Sequence, residues 1–119
     1  MKENNLIQVK TYEFALRIIK LYRYLIDKKK EFILSKQVLK SGTSIGANVE
    51  EAIGGQTKRD FVGKLAIAYK EARETHYWIR LLRDSKFITE KQASSIINDI
   101  EEILKILTTI QITTKRNLP

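Results

Sequence analysis

Between residues 58 and 84, Phe61, Leu65, Ala68, Ala72, Thr75, Ile79 and Leu82 recur at alternating spacings of four and three without a slip. A helix gathers such positions into one stripe, and a stripe of this kind packs on neighbouring helices in coiled-coil fashion. The remainder of the chain obeys the same rule. Over about residues 8–27, Phe14, Ile18, Leu21 and Leu25 carry the stripe, with Ala15, Ile19, Tyr22 and Ile26 widening it. Over about 35–53, Val38, Ile45, Val49 and Ala52 carry it, and over about 89–113, Ala93, Ile96, Ile100, Ile103, Leu107 and Ile110. Proline, the strongest helix breaker, occurs only at position 119. Four helices of similar length with short connections predict an all-α, antiparallel up-down-up-down bundle forming one domain over residues 1–119.

The ends of these helices carry their own signals. Ser35 reads as the N-cap of helix 2, and Gly54 and Gly55 as its left-handed stop. Thr89 and Gln92 spell a capping box for helix 4, with Ile88 and Ala93 as a hydrophobic staple. The cluster DKKKEF, residues 27–32, reads as the first connection, and the closing TTKRNLP as a frayed tail.

Several functional classes have no residues to support them. There is no cysteine, hence no disulfide, thiolate nucleophile or cysteine metal site. The N-terminal stretch lacks the apolar core of a signal peptide, and no apolar run approaches the roughly 18 residues of a membrane span. A cytoplasmic protein is expected, without a membrane partner. A di-iron bundle needs Glu-x-x-His on two helices; the single histidine, His76, has Arg73 three positions before it. No phosphate-cradling glycine loop is present, and the Glu50–Glu51 pair is too common on helices to mark catalysis. Neither catalytic residues nor a cofactor or metal site is assigned.

The stretch SGTSIGANVEEAIGG, residues 41–55, places glycines inside helix 2. At about 100° per residue, Ser41, Ser44, Asn48 and Glu51 form a polar row at the edge of the apolar stripe. Gly42, Gly46 and Ala47 thin the side chains around it, allowing a neighbouring backbone to come close. Ser44, Asn48 and Glu51 therefore read as a register-fixing polar network, because a misplaced buried amide costs roughly 1–3 kcal/mol.

Helix 3 has two further stripes. Ile67, Trp78 and Leu81, with Glu71 and Glu74 among them, make a second apolar face, which a lone bundle cannot fully cover; with the wide face of helix 1 this predicts a homo-oligomer. On the other side run Lys70, Arg73, Tyr77 and Arg80, and helix 1 offers a parallel row in Lys10, Arg17, Lys20, Tyr24 and Lys28. Cations interleaved with an aromatic suit phosphate contact and base stacking, and a formal charge of +8 favours polyanions. The alternative is a solvated face in which Glu74 and Asp84 compensate Lys70 and Arg80.

These residues resemble a known family. SGTSIGANVEEA followed by KRDFVGKLAIAYKEARETHYWIRLL is similar to the bacterial four-helix-bundle proteins encoded in intervening sequences of 23S ribosomal RNA genes. The resemblance is carried over residues 34–88 by Leu34, Ser35, Gln37, Ser44, Ile45, Ala47, Asn48, Val49 and Glu51, then by Arg59, Asp60, Phe61, Leu65, Ile67, Ala68, Glu71 and Glu74. Gly46 and Ala52 depart from the proline and glycine that many relatives carry there. The resemblance implies a ring-shaped homopentamer without enzymatic activity. It further implies kinship with the accessory variability protein of diversity-generating retroelements, which binds nucleic acid and a reverse transcriptase. The expected partners are then further copies of the chain, RNA or another nucleic acid, and a protein such as a reverse transcriptase; a scaffold for an acidic protein is the alternative.

Overall fold

The structure, a computed structural model, describes residues 2–117. Four helices follow one another: α1 Lys2–Asp27, α2 Leu34–Ile53, α3 Lys58–Asp84 and α4 Glu90–Arg116. α2 packs on α1 and α3, and α4 on α3 and, less extensively, on α1; α1 and α3 are diagonal and do not meet. The resulting rod measures 50 × 21 × 19 Å. Every stripe residue named above on α2 and α4 is buried, as are Leu65, Ala68, Ala72, Thr75, Ile79 and Leu82 of α3. No described helix is long and apolar enough to cross a membrane.

α1 begins earlier than its apolar pattern suggests, because Ile7 and Thr11 continue the buried line towards the N-terminus. Thr11 stays satisfied there by donating its hydroxyl to the Ile7 carbonyl at 2.8 Å. α4 runs on to Arg116 with Thr114 buried, so the tail is helical that far; the proline at 119 lies outside the described residues.

The capping box is present, with Thr89 Oγ1 accepting from the Gln92 N–H and Gln92 Oε1 from the Thr89 N–H. Two other expected ends differ. Ser35 does not cap α2: it is buried inside the helix, and Glu31 reaches over from the connection to accept from the backbone N–H groups of Ile33, Leu34 and Ser35 at 3.2, 3.0 and 2.6 Å. A carboxylate four residues upstream can satisfy three orphan donors, where a serine hydroxyl satisfies one. Nor are Gly54 and Gly55 left-handed, since no described glycine has positive φ. α2 stops with Gly54 at φ −80°, and the left-handed positions are Lys30 and Lys86, at φ 53° and 70°, in the two connections at the opposite end.

Burial pushes the Glu31 carboxyl up, but the three backbone donors together outweigh it and hold its pKa below the ordinary value. The folded carboxylate thus binds a proton less tightly than the unfolded one. Its contribution is complete above the ordinary glutamate value of 4.5 and is lost as pH falls through the lower folded-state value. Glu31→Gln is expected to cost about 1 kcal/mol at neutral pH. In urea melts the gap to the parent should narrow as pH falls below the ordinary glutamate value of 4.5; a gap of equal size at neutral and acid pH would contradict this role.

Candidate nucleic-acid interface

Helix α3 holds its basic row intact. Lys70, Arg73, Tyr77 and Arg80 are all exposed, and among the described residues none of the three cations enters an ion pair. The compensation available in the sequence is not made: Asp84 pairs with Arg83 and Glu74 accepts from the Trp78 indole at 3.0 Å. Arg80 instead stands over the Tyr77 ring, 5.8 Å from its centroid, and donates through Nε to His76 Nδ1 at 3.0 Å. Partial burial, then Arg80, lower the His76 pKa, which suits a neutral ring accepting that bond. Arg73, Glu74, His76 and Arg80 form one wall of a groove of about 540 Å³ between α3 and α4, with Glu101 and Leu104 opposite.

The α1 row is divided. Lys10 pairs with Glu102 at 2.5 Å, and Arg17 with Asp99 at 2.7 Å while also donating to the Ser95 hydroxyl. These two cations fasten α1 to α4, a correction that sequence spacing alone could not supply, because the carboxylates lie on a different helix. Tyr24 is half-buried against the core, and only Lys20 and Lys28 of that row stand exposed and outside any ion pair among the described residues. With α1 and α3 on opposite corners, the two rows do not merge into one surface.

The polar network also divides. Asn48 donates to the Ser44 carbonyl and hydroxyl at 2.9 and 3.1 Å, within its own helix, while Glu51 is exposed and pairs with Lys64 of α3 at 3.0 Å. The buried polar contact between helices is made one turn earlier, by Thr75 Oγ1 and Ser41 Oγ at 2.9 Å. The glycines act as expected at a close approach, but against α1: a Cβ at Gly42 would meet Ile18, and one at Gly46 the Thr11 carbonyl.

Ile67, Glu71, Glu74, Trp78 and Leu81 line the side of α3 next to this polar row, as the Glu51–Lys64 pair shows. Trp78 and Leu81 are half-buried on the shoulder of the bundle, and Ile67 is 42% exposed. An apolar face unrecognised in the sequence lies on α1, where Leu6, Val9, Tyr12 and Leu16 are exposed. Its signal was present as a helix apolar on more than one side. Among the described residues no cluster of three or more His, Asp or Glu side chains could hold a metal ion.

A family model described as 23S rRNA-intervening sequence protein matches residues 3–109. The crystal structure of a protein of unknown function from the S23 ribosomal protein family of Bacteroides thetaiotaomicron VPI-5482 is similar at a TM-score of 0.91 and 50% identity, over 92% of this chain and 97% of that one. No curated protein matches.

Proposed function

The chain belongs to the 23S rRNA-intervening sequence protein family, and from that premise we propose that it is a basic, oligomeric bundle of the cytoplasm that binds structured RNA without catalysing a reaction. The observation that carries this reading is the α3 row, in which Lys70, Arg73 and Arg80 project around the exposed Tyr77 and, among the described residues, enter no ion pair. Unpaired cations are free to neutralise phosphates, and the ring beside them can stack on an unpaired base. The family name supports RNA as the polyanion.

The assembly in this reading is a ring of copies, five by the family resemblance, and five chains at +8 each would carry +40. Binding would then be strong and steeply salt-dependent. The α3 face Ile67, Glu71, Glu74, Trp78 and Leu81 supports self-association, since it leaves apolar surface beside the half-buried Glu71 and the exposed Glu74.

Two variants test the assignment of the row by anisotropy titration against one folded RNA. Lys10→Gln with Arg17→Gln should loosen α1 from α4, seen as a lower melting temperature, with little loss of affinity. Lys70→Gln, Arg73→Gln and Arg80→Gln together should lower affinity and leave melting unchanged. Equal losses of affinity from both variants would contradict the placement on α3.

A further inference from the structure

The outward side of α1 is apolar over three turns. Val9, Tyr12 and Leu16 are 55, 64 and 53% exposed and point away from the buried Ile7, Phe14 and Ile18, with Leu6 beside them at 45%. Lys20 and Arg23 continue that same side, both exposed. A monomer leaves this stripe in water, and contiguous apolar surface of this kind marks an interaction face.

The opposite corner of the bundle carries a matching face. On α3, Ile67 is followed by Glu71 and Glu74, and neither carboxylate enters an ion pair among the described residues. Partial burial, then the neighbouring Glu74, raise the Glu71 pKa, with Lys40 offsetting only part of this. An acidic pair in this state is stabilised by cations brought to it.

We propose that the outward face of α1 on one copy docks, head to tail, onto the Ile67–Glu71–Glu74 face of α3 on the next. The occupant is a second copy because the two patterns are complementary in residue type and in spacing. Leu16, Lys20 and Arg23 are separated by four and three residues, as are Ile67, Glu71 and Glu74. Aligned in parallel, Leu16 meets Ile67, Lys20 meets Glu71 and Arg23 meets Glu74. The same register sets Tyr12 over Gly63, around which there is open space. α1 and α3 run in the same direction within one bundle, so upright neighbours present them in parallel. They also occupy opposite corners of it, so the contact joins two different faces and repeats from copy to copy, closing a ring where the rotation allows.

The pairing rests on the assembly proposed above, and one set of light-scattering masses separates the two. The parent should run as a multiple of 13.8 kDa. Lys20→Glu with Arg23→Glu, and separately Glu71→Lys with Glu74→Lys, should each weaken assembly at least tenfold while circular dichroism stays that of the parent. The variant carrying all four changes reverses both faces and should recover the parent mass. Leu16→Asp should dissociate the assembly without rescue. An oligomeric parent whose double variants keep its mass, or a quadruple variant that stays dissociated, overturns this pairing and leaves self-association standing. A parent of 13.8 kDa overturns both.

Discussion

Gly42→Val is expected to lower the stability of the folded chain by about 3 kcal/mol and its melting temperature by on the order of 10 °C. The cause is the approach of α2 to α1. A Cβ at this position would lie 2.8 Å from both Cγ1 and Cγ2 of Ile18, a side chain with no exposed surface. Isoleucine in a helix has one strongly preferred rotamer, so these atoms are not a flexible end that can swing aside. Relief requires the helices to separate, which opens voids around Ile18 and Ile45. The gain in helix propensity on replacing glycine is at most about 1 kcal/mol and does not offset this. Gly63 supplies the control, since it sits within α3 with nothing beyond its own stretch of helix within 4 Å of where a Cβ would stand. Gly63→Ala should stabilise the unassembled chain by about 0.5–1 kcal/mol. Urea melts at one protein concentration check both, and a Gly42→Val variant that melts with the parent would contradict a close approach of α2 to α1 at this position.

These two glycines show what the sequence can and cannot disclose. Four–three spacing made all four helices and their buried stripes legible, because the period is a property of each helix alone. The capping box at Thr89 was legible for the same reason, as its partners are three residues apart. What depended on a neighbouring helix was not. Arg17 and Lys10 look like the free cations of Lys70 and Arg80 until Asp99 and Glu102 are placed opposite them. Asn48 looks like a cross-helix contact until Ser44, on its own helix, takes its donors. Ser35 was the plausible cap by residue type, yet Glu31 was long enough to reach three N–H groups from the connection. The apolar outer side of α1 was hidden differently: Val9, Tyr12 and Leu16 lie outside the main stripe, and a wide apolar face does not by itself say which part stays in water.

The second large effect concerns the α3 row. Replacing Lys70, Arg73 and Arg80 with glutamine lowers the formal charge of each chain from +8 to +5. It is expected to weaken RNA binding on the order of 10²-fold at about 0.15 M salt. Each cation that neutralises a phosphate releases counterion, contributing about 0.7–0.9 to the slope of log K against log salt. Three lost contacts should therefore flatten that slope by about 2. Tyr77→Ala separates stacking from charge: it should cost roughly 1–3 kcal/mol of binding with the slope unchanged. All four side chains are exposed and the cations enter no described ion pair, so helicity should be that of the parent. Affinity within twofold of the parent in the triple variant would move the RNA contact away from α3.

RNA binding is tested by an anisotropy titration of a folded RNA with the parent protein, freed of nucleic acid and of mass known by light scattering, at salt concentrations from about 0.05 to 0.3 M. An oligomer is expected whose log K falls linearly and steeply with log salt, in keeping with several phosphate contacts per complex. A protein, oligomer or monomer, that leaves the RNA unbound at the lowest salt would contradict RNA binding.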